Sequence, residues 1–228
     1  MADVKTTRHY DVSRRREQAA RTQDAVLTAA RRLLLEDGYA ATTVARIAAE
    51  AGTSVDTVYK GFGGKSGIVR ALWQRGLAGR GPVPAPVRSD ALSSTETDPV
   101  RVLRGWGQFT AELGPEGAPI MLLIRAASAT DPDMAALLAE ADDQRRTRMR
   151  HNARRLKRRG WLRPGITLAQ ATDILWTYSS AELYELLVIK SGWPADRYGQ
   201  LVADALIAAL LPETYRPTGG GRDRRAVG

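Results

Sequence analysis

The stretch TTVARIAAEAGTSVDTVYKGFGGKSGIVRAL, residues 42–72, contains two short helical patterns separated by one glycine. In the first pattern, Thr43 can cap a helix with apolar residues at every third or fourth position, and Gly52 ends it. The second pattern begins at Ser54 and ends at Phe62, before two glycines. Helices of about eight residues are not stable alone, so these two must pack on neighbouring helices. The stretch therefore predicts a helix-turn-helix inside a larger helical domain.

The segments on either side supply those neighbours. Residues 13–38 form one long amphipathic pattern that ends at Gly38, and another such pattern begins at Lys65. The apolar positions expected to form the core are Val26, Ala29, Ala30, Leu33, Leu34, Val44, Ile47, Ala48, Ala51, Val55, Val58, Phe62, Ile68, Val69, Leu72 and Trp73. We therefore predict a domain over residues 13–78, preceded by a disordered arm over residues 1–12.

The rest of the chain also has helical periodicity, so the predicted fold class is all-α. Residues 79–98 are rich in Gly, Pro, Ser and Thr, which predicts a linker or a long ordered loop. Helices are then expected over residues 98–113, 118–130, 132–159, 167–190 and 195–211. They define a second, larger helical domain over residues 99–211, followed by a disordered tail over residues 212–228.

The charge of the chain indicates an anionic partner. Its 228 residues include 34 Lys and Arg against 25 Asp and Glu, a formal net charge of +9. Nucleic acid is the first partner that such a charge favours, and a membrane surface is the second. The alternative is a chain that simply uses arginine heavily.

The composition also argues against several classes of protein. The chain has no cysteine and only two histidines, His9 and His151. This excludes a disulfide framework and a thiolate zinc site, and it argues against a metal site or a Ser-His-Asp triad. We therefore expect that the protein is not an enzyme and that it binds no cofactor and no metal. No apolar run reaches about 18 residues and the N-terminus lacks a signal core, so a cytoplasmic protein is expected.

Residues 42–72 resemble the DNA-binding domain of the TetR family of transcriptional regulators. The positions that match the family pattern are Thr43, Ile47, Ala48, Ala51, Gly52, Ser54, Thr57, Val58, Tyr59, Phe62 and Lys65. The preceding helix and the distance from the N-terminus also fit, and the resemblance covers residues 14–78. Residues 174–198, ILWTYSSAELYELLVIKSGWPADRY, are similar to the C-terminal part of actinobacterial members.

The resemblance implies that the second helix of the helix-turn-helix enters the major groove of duplex DNA. The residues it places at the DNA are Thr43, Arg46, Ser54, Val55, Asp56, Thr57, Tyr59, Lys60 and Lys65, with Arg14, Arg15 and Arg16 at the flanking backbone or minor groove. The family usually has His or Tyr where this chain has Gly61. We therefore expect a greater reliance on Lys60, Lys65 and the N-terminal arginines.

Several of these assignments have a structural alternative. Thr43 can cap its helix as well as present its hydroxyl to a phosphate. Asp56 can accept from cytosine N4, although we slightly favour the alternative that its charge stabilises the helix N-terminus. The ring of Tyr59 can seal the core while its hydroxyl reaches a phosphate. The three N-terminal arginines can equally form a solvated basic tail.

The second domain carries bulky residues on helices that should surround one interior. In the TetR family these helices line a cavity for a mostly apolar small molecule. The candidate effector-pocket residues are Trp106, Phe109, Met121, Leu122, Arg125, Trp176, Tyr178 and Glu182. Arg125 and Glu182 lie in apolar segments. We therefore expect them to be buried charges that need partners. They either pair with each other, which we favour, or hold the polar end of an effector.

Two further features concern the surface of the second domain. Residues 144–163 contain ten Arg or Lys and no acid, and we favour a solvated helix face with general attraction to DNA over a second nucleic-acid surface. The last two long helices, residues 167–190 and 195–211, are apolar on more than one face. That pattern predicts a homodimer formed through them.

Together these features predict a homodimeric repressor of a near-palindromic operator, released by a small, largely hydrophobic effector. An activator and a ligand-independent regulator are alternatives that the sequence does not separate from a repressor. A basic helical architectural nucleic-acid-binding protein is the alternative from another class. Such a protein would not need a second domain rich in aromatic residues.

Overall fold

The computed structural model of this chain describes the backbone of residues 4–215 and the side chains of residues 14 and 16–215. The described residues form helices and no strand, which confirms the all-α class. The helices are α1 Val4–Ala41, α2 Val44–Glu50, α3 Val55–Phe62, α4 Lys65–Ala78, α5 Ala85–Thr95, α6 Pro99–Ala127, α7 Pro132–Arg158, α8 Leu168–Tyr178, α9 Ala181–Tyr184, a π-helix Glu185–Lys190, α10 Ala195–Leu210 and a 3₁₀ turn Glu213–Tyr215. None of these described helices is long and apolar enough to cross a membrane.

The described chain forms two compact units, and the chain passes between them after α4, within α6 and within α7. Unit 1 contains α1–α4 together with Pro115–Ala141, and unit 2 contains Arg80–Gly114 together with the described residues from Asp142 onward. The sequence pattern placed residues 115–141 in the second domain, whereas the structure places them with the N-terminal helices. The sequence-based division was incomplete because domain membership depends on contacts between distant residues.

The core of unit 1 shows why residues 115–141 belong there. Residues of α6 and α7 close one hydrophobic cluster with the first four helices. Its buried members are Val26, Leu27, Ala30, Leu33, Leu34, Ile47, Ala48, Val58, Ile68, Val69, Leu72, Trp73, Ile120, Ile124, Ala127, Met134, Leu137 and Ala141. The apolar stripes predicted for the first and fourth helices are therefore confirmed, and the last six residues of the cluster complete the core.

The turn between α2 and α3 has the geometry that the sequence predicts. Gly52 adopts a left-handed conformation with φ of 63°. The amide of Thr53 donates to the carbonyl oxygen of Ala48 at 2.9 Å, which satisfies a carbonyl at the end of α2. Glycine reaches this φ at no steric cost, so α2 can end sharply and α3 can start three residues later, at Val55.

Helix α1 is longer than predicted. It begins at Val4, so the disordered arm predicted over residues 1–12 is helical from that point. Residues 4–37 contain neither glycine nor proline, and nothing in them breaks a helix. Gly38, with φ of 83° and ψ of 168°, interrupts the helix as expected, but the helix resumes and ends at Ala41. The hydroxyl of Thr42 lies 2.8 Å from the Gly38 carbonyl oxygen and closes this kink.

Helix α5 occupies much of the segment predicted to be a linker. Its prolines lie at the start, where a helix tolerates them. Ala85, Ser89 and Ser93, spaced four residues apart, are buried on one side of the helix. Small residues at this spacing are not a strong hydrophobic signal, so composition alone suggested a loop.

Helix α6 is continuous where two helices were predicted, and it passes through Pro115 and Pro119. Proline has no amide hydrogen, so Pro119 leaves the carbonyl of Pro115 without its helical donor. Arg31 of α1 supplies the missing donor, because its Nη2 lies 3.0 Å from that carbonyl oxygen. Its Nε lies 2.9 Å from the carboxylate of Glu116. A side chain from 84 residues away thus satisfies the carbonyl that Pro119 leaves open.

The segment predicted as one long helix over residues 167–190 is broken in the middle. Ser179 ends α8, and the Oγ of Ser180 caps α9 by accepting from the amide of Leu183 at 3.3 Å. Serine competes with the helix backbone for hydrogen bonds and therefore favours caps. After the single 3₁₀ turn at Glu213–Tyr215, residues 216–228 of the predicted tail lie outside the described chain.

Unit 2 has an aromatic pair in its interior. The rings of Tyr184 and Tyr198 meet edge to face with their centroids 5.2 Å apart. Burial, with a smaller contribution from Tyr184, raises the pKa of Tyr198 to about 12. Both tyrosines are therefore neutral core residues across the physiological pH range.

Candidate nucleic-acid interface

Helix α3 is attached to the core by one side and presents the rest to solvent. Its only buried residue is Val58. The Oγ of Ser54 caps the helix by accepting from the amide of Thr57 at 3.1 Å, and the Ser54 and Thr57 hydroxyls lie 2.8 Å apart. Ser54 and Thr57 are both exposed. The first turn of α3 is therefore rigid and accessible at the same time.

Val55 and Tyr59 form the exposed apolar part of α3. Val55 is 41% exposed and Tyr59 is 52% exposed. The prediction that Val55 helps to anchor α3 in the core is wrong, because the core covers this helix only from Val58 onward. The purely core interpretation of Tyr59 is also excluded by its exposure. Both residues can contact a partner without any change in the fold.

Asp56 and Lys60 form an ion pair on the surface of α3. The Lys60 Nζ lies 2.7 Å from an Asp56 carboxylate oxygen, and both side chains are about three-quarters exposed. Exposed helix pairs at this spacing contribute about 0.3–0.5 kcal/mol. Lys60 can therefore exchange this partner for a phosphate at little cost, while Asp56 stabilises the first turn of the helix.

Gly61 faces open space. A Cβ added to it would meet nothing within 4 Å. The aromatic or histidine side chain common in the TetR family is therefore not excluded by packing. The fold has room for a side chain at residue 61, but this chain has glycine there.

Helix α2 begins with the cap that the sequence predicts. The Oγ1 of Thr43 accepts from the amide of Arg46 at 3.2 Å. The Arg46 guanidinium lies 3.0 Å from a carboxylate oxygen of Asp37 and is about half exposed. Thr43 thus fills its structural role and remains exposed, and Arg46 is held at the end of α1.

The N-terminal arginines lie on a helix and not on a flexible arm. Arg14 and Arg16 are exposed on α1. The side chain of Arg15 lies outside the described part of the chain. A helical backbone orients these side chains in fixed directions, which the predicted disordered arm would not do.

Lys65 does not point freely to solvent as a phosphate contact would. Its Nζ donates to the carbonyl oxygen of Tyr39 at 2.7 Å and lies 3.9 Å from the centroid of the Tyr39 ring. Burial lowers the pKa of Lys65, and the nearby carboxylate of Asp131 partly opposes this shift. We therefore remove Lys65 from the candidate contacts, because its ammonium joins α4 to the end of α1.

Asp131 and Tyr39 complete this cluster, and sequence reasoning missed both. The Tyr39 hydroxyl donates to an Asp131 oxygen at 2.9 Å, and the other Asp131 oxygen accepts from the amides of Asp133 and Met134. These bonds lower the pKa of Asp131, the amide of Met134 contributing most. The sequence Asp131-Pro132 is a helix-start signal that could have identified the cap.

Asp131→Asn is expected to reduce the stability of unit 1 at neutral pH but not at low pH. Asparagine keeps an oxygen that can cap the helix but has no charge. The variant therefore isolates the contribution of the Asp131 charge to the stability of unit 1. Because the folded-state pKa is lowered, the stabilisation is present above the unfolded value of about 3.9 and is lost as the pH falls through the folded pKa. Urea unfolding at pH 7 and pH 2.5 measures the difference. Asp133→Asn, two residues away, is the matched control, and an Asp131→Asn deficit that stays constant with pH would contradict the assignment.

The candidate effector-pocket residues do not all fall in one unit. Met121, Leu122 and Arg125 belong to unit 1, and Met121 packs against its core. Arg125 is exposed, so the prediction that it is a buried charge is wrong. The other five, Trp106, Phe109, Trp176, Tyr178 and Glu182, belong to unit 2.

Trp106 and Trp176 differ in how their indole nitrogens are satisfied. The Nε1 of Trp106 donates to the Oγ of Ser93 at 3.2 Å, which makes Trp106 a satisfied core residue. The Nε1 of Trp176 is buried and has no hydrogen-bond partner within the described chain. The guanidinium carbons of Arg145 and Arg146 lie 4.6 and 5.2 Å from the centroid of the Trp176 ring. Trp176 therefore carries a buried hydrogen-bond donor that the described chain does not satisfy.

Several arginines of the basic run over residues 144–163 donate hydrogen bonds within unit 2, which the sequence did not predict. Arg145 donates to the Trp176 carbonyl oxygen at 2.6 Å and Arg148 to Asp90 at 2.9 Å. Arg159 donates to the carbonyl oxygen of Ser94 at the end of α5. These arginines hold neighbouring helices of unit 2 together, so the prediction of a wholly solvated face was wrong for this side of α7.

The described geometry is that of an all-helical protein with a capped helix-turn-helix in one unit. Residues 26–72 match the family model described as bacterial regulatory proteins, tetR family. The uncharacterized HTH-type transcriptional regulator YvkB of Bacillus subtilis (strain 168) is 36% identical over 69 residues, which are 30% of this chain and 36% of that protein. The match thus spans about a third of this curated relative. The match to the tetR family therefore covers the helix-turn-helix and the helices that flank it.

Solved structures share the fold across most of the chain. NalD, the secondary repressor of the MexAB-OprM multidrug efflux pump in Pseudomonas aeruginosa, has a TM-score of 0.67 at 20% identity, covering 86% of this chain and 99% of NalD. The complex of SmeT with triclosan has a TM-score of 0.66 at 22% identity, covering 87% of this chain and 95% of SmeT. SmeT is the repressor of the Stenotrophomonas maltophilia multidrug efflux pump SmeDEF. At these identities the similarity shows the fold alone.

Proposed function

We propose that this protein is a sequence-specific DNA-binding transcriptional regulator, most simply a homodimeric repressor that a small molecule releases from its operator. The observation that carries the proposal is the accessible side of α3. A capped first turn, Val55, Tyr59 and Lys60 all face solvent there, while Val58 fixes the helix to the core. A helix held in this way fits the major groove of duplex DNA.

The accessible side chains divide into two kinds of DNA contact. Val55 has the apolar surface that suits a thymine methyl group, and Ser54 and Thr57 have hydroxyls for either bases or phosphates. Lys60 and the hydroxyl of Tyr59 suit phosphates, and Arg14 and Arg16 suit the flanking backbone. Arg15, whose side chain lies outside the described residues, stays a prediction from the sequence. Asp56 acts mainly as a helix-stabilising charge. Lys65 is left out because it is engaged within unit 1.

A homodimer is the second element of the proposal. Exposed apolar side chains on the π-helix and α10, among them Leu186 at 54%, Ile189 at 52% and Leu201 at 37%, support a partner surface there. A twofold dimer would present two α3 helices to half-sites about 34–36 Å apart on a near-palindromic operator. Sedimentation equilibrium should show a dimer at the concentrations that bind DNA.

Tyr59→Ala and Lys60→Gln are expected to weaken operator binding in different ways. Loss of the tyrosine ring should reduce affinity for the predicted operator in the upstream DNA about 10- to 100-fold, because one good contact contributes about 1–3 kcal/mol. Loss of the Lys60 charge should lower the slope of log affinity against log salt by about one for each phosphate contact removed. Gel shifts at several salt concentrations measure both effects. Arg75→Gln, which removes a charge from an exposed ion pair near the C-terminus of α4, is the matched control.

The operator model fails if the wild-type protein binds the upstream DNA and unrelated DNA equally well. It would also fail for α3 if both variants kept wild-type affinity and salt slope. In either case the basic charge of the chain, and not α3, would account for DNA binding, as in an architectural protein.

Release by an effector is the third element. The buried Trp176 Nε1 offers a donor to an acceptor-bearing, otherwise apolar molecule, which supports a site in unit 2. SmeT, whose fold this chain shares, forms a complex with triclosan. The same gel shift, repeated with compounds that raise the melting temperature, tests this element. A compound that stabilises the protein and also releases DNA supports a repressor, whereas no active compound in a broad hydrophobic library favours a ligand-independent regulator.

A further inference from the structure

The connection between α3 and α4 consists of two glycines, Gly63 and Gly64. Their φ angles are 75° and 141°, and both values lie in the region that favours glycine. Gly64 is also the N-cap residue of α4 and has no side chain that could cap the helix. Within α3 only Val58 is buried. Because a glycine backbone is restricted less than that of other residues, contacts from elsewhere in unit 1 must fix the orientation of α3 relative to α4.

Lys65, the first residue of α4, provides such a contact. Its Nζ donates to the carbonyl oxygen of Tyr39 at 2.7 Å and lies 3.9 Å from the centroid of the Tyr39 ring. Tyr39 lies near the end of α1 and packs against the core of unit 1. The residue that directly follows the two glycines is therefore tied to a helix that belongs to the core.

Asp131, in the turn between α6 and α7, holds Tyr39 in place. The Tyr39 hydroxyl donates to one Asp131 oxygen at 2.9 Å. The other oxygen accepts from the amides of Asp133 and Met134, which fixes the carboxylate at the start of α7. The same carboxylate also attracts the Lys65 ammonium. We call Lys65, Tyr39 and Asp131 the junction cluster, because together they hold the start of α4 beside the end of α1.

The partner of Lys65 is one that the fold cannot easily give up. The Tyr39 carbonyl is among the last four of α1, which a helix leaves without a donor of its own. If the Lys65 ammonium turned to a phosphate, this partly buried oxygen would lose its donor. Lys60 differs, because its partner Asp56 is exposed and can be solvated by water. Lys65 is therefore better suited to hold α4 than to bind DNA.

We infer that the junction cluster sets the orientation of α3, and through it the affinity for an operator, without itself contacting DNA. The link from orientation to affinity rests on the proposed function. Lys65 and Tyr39 are positioning residues that act through the junction of α3 and α4, and Asp131 acts through Tyr39. DNA binding thereby depends on a carboxylate in the turn between α6 and α7, far beyond the helix-turn-helix in the sequence.

The experiment compares variants of the full-length protein that remove charges of opposite sign. Lys65→Gln removes a cation, and loss of a phosphate contact would lower the salt slope by about one. Asp131→Asn removes an anion, which by long-range attraction alone should raise the affinity for DNA. A loss of affinity in this variant therefore indicates that α3 has changed its position. Asp133→Asn removes the same charge two residues away and keeps the junction cluster intact, so it is the matched control.

Binding to an operator fragment and to an unrelated duplex of equal length is measured from about 50 to 300 mM salt, at a temperature at which circular dichroism shows every variant folded. Lys65→Gln and Asp131→Asn should each lower operator affinity about fivefold, with an unchanged salt slope. Affinity for the unrelated duplex should change less, because it depends on charge and not on the fit of α3 to the bases. Asp133→Asn should bind at least as tightly as wild type.

Amide hydrogen exchange tests the junction itself without DNA. The Gly63 amide donates to the Tyr59 carbonyl oxygen at 2.8 Å, and the Ile68 amide bonds across the start of α4 at 3.1 Å. In Lys65→Gln and Asp131→Asn these two amides should exchange severalfold faster than in wild type. The Ala51 amide at the end of α2 should keep its wild-type rate, which separates a local change from a general loss of stability.

The outcomes distinguish the inference from the proposed function. A salt slope lower by about one in Lys65→Gln would overturn the inference, because Lys65 would then contact a phosphate. Equal losses of operator affinity in Asp131→Asn and Asp133→Asn would also overturn it, as would unchanged exchange at Gly63 and Ile68. If the wild type shows no operator preference but exchange at the junction rises as expected, the proposed function fails and the positioning of α3 by the junction cluster stands.

Discussion

Gly67→Ala is expected to destabilise unit 1 severely and to abolish operator binding. A Cβ on Gly67 would lie 1.7 Å from the carbonyl oxygen of Phe62, the last residue of α3. Because this oxygen belongs to the backbone, no side-chain rotation relieves the clash, and either α4 or the end of α3 must move. Overpacking usually costs about 1–3 kcal/mol, and a backbone clash this short should reach or exceed the upper end. Urea unfolding and gel shifts with the upstream DNA measure the two effects.

Gly61→Ala is the control that separates this clash from a general sensitivity to alanine. Gly61 lies inside α3, and its Cβ would meet nothing within 4 Å. Replacing a glycine by alanine in a helix interior stabilises by about 1 kcal/mol, so this variant should unfold at a higher urea concentration. The two substitutions, six residues apart, should therefore have opposite signs. A Gly67→Ala protein as stable as wild type would contradict the close approach of α4 to the end of α3.

Gly107→Ala and Gly199→Ala are each expected to destabilise unit 2 by about 2–3 kcal/mol. Helices α6 and α10 meet backbone to backbone at these two glycines. A Cβ on Gly107 would lie 2.3 Å from the Gly199 carbonyl oxygen, and a Cβ on Gly199 would lie 2.6 Å from the Gly107 carbonyl oxygen. Either methyl group must push the two helices apart and open the packing around Ala203. Thermal unfolding followed by circular dichroism measures the loss.

The double variant, Gly107→Ala with Gly199→Ala, tests whether the two glycines belong to one contact between α6 and α10. Once one methyl group has separated α6 from α10, the second adds less, so the two losses should sum to more than the loss in the double variant. Gly117→Ala in the same helix α6 meets nothing within 4 Å and should be neutral or slightly stabilising. Additive losses from Gly107→Ala and Gly199→Ala would show that the two glycines do not share one contact.

The helix-turn-helix could be read from the sequence because its signals are local. Thr43 and Ser54 cap helices within three residues of their own positions, and Gly52 supplies its own left-handed turn. The spacing of Ile47, Ala48 and Val58 is enough to place the side of each helix that packs inward. The exposed residues of α3 follow from the same spacing, except Val55, because the core covers α3 only from Val58, one turn later than the pattern predicts.

The elements that were missed depend on contacts across long stretches of chain. The α6 helix continues through Pro115 and Pro119 where Arg31 donates to an open carbonyl from 84 residues away. Lys65 turns inward to a carbonyl 26 residues before it. No pattern within a window of ten or twenty residues contains such partners. Small residues such as those of α5 add to the difficulty, because they pack closely without giving a strong hydrophobic signal.

The sequence by itself determined the all-helical class and the helix-turn-helix, because periodicity, caps and a turn glycine act over a few residues. Only the tertiary structure decided which cations are available to a partner. Lys65 and Arg145 carry the same charge as Lys60 and Arg154, yet the first two are bound within the fold and the last two are exposed. The reason is that a charged side chain pairs with the polar group that lies nearest to it in space. The distance between the two groups is set by the packing of helices that are distant in sequence.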